Sequence, residues 1–224
     1  INTDPGILGY DIHDGKNGNK EGKFVNDKSQ WENEFSEDPK KIFSLSKKAI
    51  DFIEKQNNLG KPFYLQISHY AIHSDLVMRK KTFEKYNSKS PGKVHDNIGL
   101  ASMTEDLDTS VGYILDTLRK LGIENNTYVI YTSDNGSVPI IRPRKNYEKG
   151  YNHPLKRGKW DAMEGGVRVP LIISGPGIEN GSQCNQPVSG SDILPTIQSL
   201  AGNSNEQLKN IDGGSLKDVL FGVK

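Results

Sequence analysis

The stretch Tyr128–Ser137, "YVIYTSDNGS", places five strand-forming residues directly before an aspartate, an asparagine and a glycine. Tyr128–Thr132 has the β-branched and aromatic composition of a buried strand. Asp134, Asn135 and Gly136 are common turn residues. The side chains of Asp134 and Asn135 also offer the oxygen ligands that Ca²⁺ or Mg²⁺ takes. The stretch alone therefore predicts a strand that ends in either a plain turn or a cation site.

Further strands and helices are predicted on both sides of this strand. Short apolar runs bounded by turn residues predict strands at Phe63–Ser68 and Val169–Ser174. Apolar residues that recur every three to four positions predict helices over about Pro39–Asn57, Asp96–Leu121 and Ser191–Gly202. This alternation is typical of an α/β domain, with a mixed, mostly parallel sheet flanked by helices.

The predicted helix ends carry capping residues. Asp38 precedes the first helix and Gly122 follows the second. Ser191 or Asp192 is expected to cap the third helix, which Gly202 closes. Within the second helix three acidic residues are expected to form a solvated face: Glu105, Asp106 and Asp108.

Polar side chains follow two of the predicted strands. His69 and His73 come after Phe63–Ser68, as Asp134 and Asn135 come after Tyr128–Thr132. Ligands of open α/β sheets bind beyond the carboxyl ends of the strands. If the two strands are parallel neighbours, these side chains share one edge of the sheet.

The bulk composition excludes several classes of function. The 224 residues suffice for one sizeable domain or two small ones, and 29 basic against 28 acidic residues leave a net charge of +1. Such a balance argues against nucleic acid or an anionic membrane as the main partner. No stretch is apolar and long enough to cross a bilayer. The single cysteine, Cys184, excludes an internal disulfide and a multi-cysteine zinc site.

Three stretches in this order resemble the sulfatase family, within the alkaline-phosphatase-like superfamily. They are "YLQISHYAIHSD" (Tyr64–Asp75), "VIYTSDNGS" (Val129–Ser137) and "HPLKRGKWDAMEGGVRVPLIISGPG" (His153–Gly177), and "SDILPTIQSLAG" follows them. The third is the most specific, because a Gly-Lys pair, an EGGVRVP run and a strand ending in Gly-Pro-Gly seldom coincide. The resemblance implies a largely parallel central sheet between helices, an active site at the strand ends, and hydrolysis of a sulfate ester of a carbohydrate or an aryl alcohol.

The resemblance also implies a metal site. In this family a Ca²⁺ ion is held by acidic residues near the N-terminus together with an Asp-Asn pair, which Asp134 and Asn135 match. Mg²⁺ is the less favoured ion. Gly136 would let the backbone turn tightly beside the ion.

Substrate-binding and catalytic residues follow from the same resemblance. His73 matches the histidine that contacts the sulfate or the leaving-group oxygen, and Lys159 matches the lysine that binds the sulfate. His153, close before Lys159, is a further candidate for binding substrate. Lys156 and Arg157 are nearby basic alternatives.

Other matched and unmatched positions refine this interpretation. Glu164 and Arg168 match a family motif and are interpreted as structural, with Arg168 in an ion pair. Asp75 stands where the family often has proline, and Trp160 stands where a small residue is common. Either difference could alter the substrate pocket.

The family's nucleophile motif is missing from the sequence. Sulfatases use a Cys or Ser in a C/S-x-P-x-R motif, oxidised to formylglycine, and these 224 residues contain no such motif. Cys184 is followed by a proline one place late and by no arginine. We therefore expect residues 1–224 to be a partial sulfatase catalytic domain, with the nucleophile segment upstream and the small C-terminal subdomain also missing.

Two alternatives stay open at this stage. A phosphatase or phosphodiesterase of the same superfamily would need two zinc ions and more Asp and His ligands, whereas Gly136-Ser137-Val138 after the Asp-Asn pair suits a one-ion site better. The second alternative is a non-catalytic protein that keeps the scaffold without its nucleophile. The presence of His73 and Lys159 argues against it. The resemblance implies a periplasmic, secreted or lysosomal-type compartment, which the sequence itself does not specify.

Overall fold

The computed structural model describes residues 4–15, 32–139, 150–203 and 210–222. The chain forms two compact units, the first comprising Ile1–Thr117 with Ile140–Tyr151 and the second Leu118–Pro139 with Asn152–Lys224. The α-helices of the described ranges are α1 (Ile42–Asn58), α2 (Lys80–Asn87), α3 (Ile98–Lys120), α4 (Glu164–Val167), α5 (Ile193–Leu200) and α6 (Lys217–Leu220). The strands there are β1 (Glu34–Phe35), β2 (Val77–Met78), β3 (Val129–Thr132) and β4 (Leu171–Ser174).

The described strands form two separate pairs of opposite sense. In the first unit β1 and β2 are parallel, and in the second unit β3 and β4 are antiparallel. The described strands thus run in both senses, but in two separate sheets. The two segments considered as parallel neighbours from the sequence, Phe63–Ser68 and Tyr128–Thr132, are not paired, because Phe63–Ser68 forms no strand in the described structure. Among the described residues, the helices are too short or too polar to traverse a lipid bilayer.

The first predicted helix is capped by Asp38, as predicted. A 3₁₀ turn at Pro39–Lys41 precedes α1. One Asp38 carboxylate oxygen accepts hydrogen bonds from the backbone N–H groups of Phe43 (2.9 Å) and Ser44 (3.2 Å). Asp38 thereby satisfies donors of the first turn of α1 that have no partner within the helix.

The core of the first unit is formed by α1, β2 and α3. Its largest fully buried apolar side chains are Ile42, Ile53, Leu76, Met78 and Met103. The helices also meet through hydroxyl groups, because the side chains of Ser46 in α1 and Ser110 in α3 are hydrogen-bonded to each other. Serine at both positions keeps this polar contact satisfied inside the core.

Asp106 corrects the prediction of a solvated acidic face on the second helix. Asp108 is exposed, but Asp106 is fully buried. Its carboxylate accepts from the Arg79 Nε (2.7 Å) and backbone N–H (2.8 Å), and from the Thr82 hydroxyl (2.9 Å). Arg79 also stacks on the Phe43 ring, 4.2 Å from its centroid. A carboxylate with three donors is stable in the core, and Asp106 ties α3 to the start of α2.

The predicted strand Phe63–Ser68 does not pair with any described segment. Its side chains still alternate, with Phe63, Leu65 and Ile67 half-buried and the residues between them exposed. Alternation is a property of the sequence, whereas a strand also requires a hydrogen-bonded neighbour. The prediction of a regular strand is therefore wrong for the described structure, although the pattern behind it is present.

The end of α3 is the glycine cap that the sequence predicts. Gly122 has a φ of +70°. Its N–H donates to Arg119 O, and the N–H of Ile123 donates to Leu118 O, both at 3.0 Å. These two bonds are the Schellman pattern, which needs the left-handed conformation that glycine adopts without strain.

The third predicted helix, α5, has Asp192 at its N-cap position, which is one of the two residues expected there, although the Asp192 side chain makes no cap bond to α5. Ser189 caps the 3₁₀ turn Gly190–Asp192 that leads into α5, in a capping box with Asp192. The Asp192 carboxylate accepts from the N–H groups of Ser189 (2.7 Å) and Gly214 (2.9 Å). It thereby joins the start of this helix to a segment 22 residues away.

We predict that Asp192→Ala lowers the free energy of unfolding by about 1 kcal/mol at pH 7. The hydrogen bonds from Ser189 and Gly214 lower the pKa of Asp192. A carboxyl group with a lowered folded-state pKa stabilises the protein fully above its unfolded pKa of about 3.9 and loses that contribution as pH falls through the folded value. Urea denaturation of the unaltered chain and of Asp192→Ala should therefore give a difference in the free energy of unfolding that shrinks below about pH 4.

The control for this prediction is Glu179→Ala, which changes an exposed acid of the same unit. We expect it to alter stability by less than about 0.5 kcal/mol at any pH. A deficit of Asp192→Ala that stayed constant down to about pH 2.5 would contradict the proposed role of the ionised carboxylate.

Candidate active site

The carboxyl end of β3 lies beside the start of β4. In the antiparallel ribbon Val129 pairs with Ser174 and Thr132 with Leu171. The Thr132 hydroxyl donates to Pro170 O at 3.0 Å, just before β4 begins. Asp134 and Asn135 therefore emerge where the chain enters β4.

The side chains of Asp134 and Asn135 both leave oxygen atoms available. Asp134 is exposed, and its carboxylate has no hydrogen bond or ion pair with the part of the chain that the structure describes. The Asn135 Nδ2 donates to Gly136 O at 3.0 Å, which directs the amide nitrogen inward and leaves Oδ1 as the free acceptor. The Ser133 hydroxyl donates to Asn135 O at 2.9 Å and fixes the turn between them. These two oxygen donors suit a hard cation.

Gly136 is required here for space. Its φ is not in the left-handed region, so the tight turn expected from the sequence is not the reason for glycine. Its N–H donates to Gly166 O at 2.9 Å. A β-carbon at Gly136 would overlap Gly165 O and lie 3.1 Å from the α-carbon of Gly166. The end of β3 and the Gly165-Gly166 backbone can touch only because residue 136 lacks a side chain. A β-carbon at Gly165 or Gly166 would instead overlap the backbone oxygen of Arg157 or of Asp161.

Lys159 is brought to the same strand end by backbone hydrogen bonds. Its N–H donates to Ser137 O at 2.9 Å, and the N–H of Gly165 donates to Lys156 O at 2.8 Å. A β-carbon at Gly158 would also overlap Ser137 O. Lys159 is half-buried, and its ammonium group forms no ion pair with the described residues. It is thus an available cation anchored next to the Asp134-Asn135 turn.

Asn152 is a positioning residue that the sequence did not reveal. Its Nδ2 donates to Ser137 O at 2.8 Å and to Arg157 O at 3.1 Å. The carbonyl of Ser137 therefore holds both the Asn152 side chain and the Lys159 backbone. His153, which is exposed, follows directly. An asparagine in a loop has the appearance of an ordinary turn residue, so no sequence signal identifies this role.

His73 lies in the first unit, whereas the other predicted site residues lie in the second. Its Nδ1 is 3.0 Å from Ser74 O. A carbonyl oxygen only accepts, so Nδ1 carries the hydrogen in the neutral ring and Nε2 is left for a ligand. The His73 ring is exposed, which lets a substrate reach Nε2.

His69 is less suited than His73 to bind an anion. It is half-buried, its Nδ1 is buried without a hydrogen-bond partner, and burial lowers its pKa. A lowered pKa favours the neutral ring, whereas contact with a sulfate favours the protonated one. Of the two histidines after Phe63–Ser68, the structure thus favours His73.

Arg168 is in an ion pair, as predicted, and the structure identifies Glu164 as its partner. The Arg168 Nη1 lies 3.4 Å from the Glu164 Oε2, one helical turn apart, and both side chains are exposed. An exposed pair of this kind contributes little to stability. The pair spans α4, and Gly165 and Gly166, which pack on the end of β3, lie between its two members.

Comparison with known proteins places this arrangement in a family. A family model, Sulfatase, matches residues 16–203. The chain belongs to the sulfatase family. The matched residues include Asp134, Asn135 and Lys159, which lie at the end of β3 in the second unit.

Curated sulfatases similar to the chain are considerably longer than it is. Steryl-sulfatase from Rattus norvegicus is 35% identical over 181 residues, which cover 80% of this chain and 29% of the relative. N-acetylgalactosamine-6-sulfatase from the same species is 36% identical over 174 residues, which cover 77% of this chain and 31% of the relative. The chain thus spans about a third or less of the length of these sulfatases.

Solved structures confirm the predicted fold class. Ps i-CgsB superimposes with a TM-score of 0.70 at 29% identity, over 82% of this chain and 39% of that chain. The PsFucS1 sulfatase from Pseudoalteromonas sp. gives a TM-score of 0.63 at 26% identity, over 80% of this chain and 34% of that chain. The chain therefore has the α/β, alkaline-phosphatase-like fold of sulfatases.

Proposed function

We propose that this chain supplies the sulfate-binding part of a calcium-dependent sulfuric ester hydrolase. The observation that carries the proposal is the hydrogen bond from the Lys159 N–H to Ser137 O, 2.9 Å long. It anchors a cationic residue next to a turn whose Asp134 and Asn135 oxygens are available. A cation site and an oxyanion site side by side are what hydrolysis of a sulfate ester requires.

Lys159 and His73 have different roles in this proposal. The Lys159 ammonium binds the sulfate oxygens and balances charge that builds on them in the transition state. For His73, whose Nδ1 is engaged by Ser74 O, the family resemblance implies contact with the leaving-group oxygen through Nε2 and the role of proton donor. His153 would bind the alcohol part of the substrate.

A bound Ca²⁺ would polarise the sulfate group and is the cofactor we propose in preference to Mg²⁺. Asp134 and Asn135 fit such an ion, because one is an anionic and the other a neutral oxygen donor, each with a free oxygen. Within the described ranges no cluster of three or more His, Cys, Asp or Glu side chains could hold a metal. Ca²⁺ takes about six to eight oxygens, so we expect these two residues alone to bind it weakly.

The substrate proposed is a sulfated carbohydrate, with an aryl sulfate as the simpler probe. Ps i-CgsB has been crystallised in complex with k-i-k-neocarrahexaose, and the chain matches that complex at 30% identity and a TM-score of 0.70. N-acetylgalactosamine-6-sulfatase, another relative, bears the name of a sulfated sugar. These likenesses support a carbohydrate for this chain.

We predict that the 224-residue chain binds an aryl sulfate through Lys159 but does not hydrolyse it. Hydrolysis in this family needs a formylglycine from a C/S-x-P-x-R motif, which the sequence does not contain. In an NMR titration Lys159→Ala should weaken binding by about tenfold or more, the equivalent of about 1.4 kcal/mol. Lys156→Ala and Arg157→Ala test the two alternative cations, and Lys217→Ala, an exposed lysine of α6, is the control.

The same protein allows the metal site to be tested separately. We expect Asp134→Ala and Asn135→Ala to abolish a weak calcium response, and Glu179→Ala to leave it unchanged. Robust turnover of the aryl sulfate by the chain, or binding indifferent to Lys159→Ala, would refute the assignment of roles.

A further inference from the structure

Trp160, directly after Lys159, presents a large apolar ring to solvent. The residue is 66% exposed, more than any tyrosine or phenylalanine among the described residues. Its φ is +76°, a left-handed conformation. A bulky residue in that region is a conformational outlier that costs about 1–3 kcal/mol. Neither the exposure nor the backbone is explained by packing in the core.

The backbone of Trp160 is held from both sides. The N–H of Lys159 donates to Ser137 O (2.9 Å), and the N–H of Asp161 donates to Gly158 O (3.1 Å). The Asp161 carboxylate in turn accepts from the Met163 N–H at 3.0 Å and lies 3.7 Å from the Arg157 Nε. The bonds that place Lys159 therefore also fix the direction in which the indole leaves the backbone. Strained backbone positions of this kind cluster at active sites and ligand contacts.

The charges around Trp160 are mainly positive. Lys156 and Arg157 are exposed and Lys159 is half-buried, all within a few residues of the indole. Asp161 is the acid in this segment, and it faces Arg157. Lys156 and Lys159 have no acidic partner within the described part of the chain. The segment that carries the indole is thus suited to an anion.

An exposed indole beside free ammonium groups matches the chemistry of a sulfated sugar. The C–H face of a pyranose ring is apolar and packs flat on an aromatic ring, whereas its sulfate groups need cations. We propose that Trp160 is a specificity residue that stacks on the sugar ring carrying, or next to, the sulfate bound at Lys159. The inference rests on the proposed function and narrows its substrate to a carbohydrate.

The two tryptophans of the chain, Trp31 and Trp160, make the inference testable by fluorescence. In Trp31→Phe the emission comes from Trp160 alone, and we expect a saturable change when neocarrahexaose is added. The desulfated hexasaccharide should give a much weaker response, because it lacks the groups that Lys159 binds. Trp160→Phe, which leaves Trp31 as the reporter, should show no comparable change.

Affinity measurements on the unaltered chain and its variants complete the test. By calorimetry, Trp160→Ala should weaken binding of neocarrahexaose about tenfold, and Trp160→Tyr should keep it within about threefold. Inorganic sulfate should bind Trp160→Ala as it binds the unaltered chain, because it does not reach the indole. Met163→Ala is the matched control, since Met163 is another exposed apolar side chain of the segment, 49% exposed, and should change nothing.

The outcomes separate this inference from the proposed function. If Trp160→Ala binds the hexasaccharide normally while Lys159→Ala does not, the stacking role is wrong and the sulfate site stands. The stacking role is equally wrong if Trp160→Ala changes only the sedimentation of the chain, because the indole is then a protein contact. If the unaltered chain binds neither the hexasaccharide nor an aryl sulfate, the proposed function itself fails.

Discussion

Gly136→Ala is expected to lower the free energy of unfolding by about 3 kcal/mol or more and to disorganise the candidate active site. The new methyl group would overlap Gly165 O and lie 2.8 Å from its carbonyl carbon. Overpacking usually costs about 1–3 kcal/mol, and here the obstacle is backbone rather than a flexible side chain. The strand end and the segment that carries Lys159 would have to separate.

The separation would break particular hydrogen bonds. The bond from the Gly136 N–H to Gly166 O would be lost, and the neighbouring bond from the Lys159 N–H to Ser137 O would be weakened. We therefore expect Gly136→Ala to lose binding of a sulfate ester as well as stability. Urea denaturation and the NMR titration with an aryl sulfate measure the two effects on the same protein.

Gly190→Ala is the control for this substitution within the same unit. Gly190 is exposed, and a β-carbon there would meet nothing within 4 Å. Alanine at such a position should be neutral or stabilise by up to about 1 kcal/mol, because it restricts the unfolded chain. If Gly136→Ala proved as harmless as Gly190→Ala, the close contact between Gly136 and Gly165 would be wrong.

Asp106→Ala is expected to destabilise the first unit by about 3–5 kcal/mol. Asp106 is fully buried and Arg79 is only 8% exposed. Removing the carboxylate leaves a buried guanidinium group, a backbone N–H and the Thr82 hydroxyl without their acceptor. The cost is chiefly that of an uncompensated buried charge, rather than the net value of the ion pair.

Two further variants isolate the cause of this loss. Asp108→Ala removes an exposed acid from the same helix and should change stability by less than about 0.5 kcal/mol. Arg79→Met combined with Asp106→Leu should recover part of the loss, because no buried charge then remains. Thermal or urea denaturation measures the stability of Asp106→Ala, of Asp108→Ala and of the double variant. A single Asp106→Ala variant as stable as Asp108→Ala would show that the buried network does not form.

Local interactions explain what the sequence predicted well. The ends of α1 and α3 follow from Asp38 and Gly122, whose bonds reach only a few residues along the chain. Strands β3 and β4 were found because each is a compact apolar run. The sulfatase resemblance came from motifs that can be recognised by their residues and their order along the chain. The match to the family model confirms the resemblance.

Residues far apart in the chain decided the rest. Asp106 has the sequence context of a surface residue, and only Arg79, 27 positions earlier, makes it a core residue. Phe63–Ser68 has a strand pattern, but pairing depends on a neighbour that the pattern does not contain. Gly136 was interpreted as a turn residue, and the structure shows that it leaves room for Gly165.

The sequence by itself determined the family, the main helices and the residue types at the candidate site. Only the tertiary structure decided that Lys159, Asn152 and Gly165 meet the end of β3. The physical reason is that capping and periodicity are set within about one helical turn. Burial and close backbone contact instead depend on which distant segments the whole chain packs together.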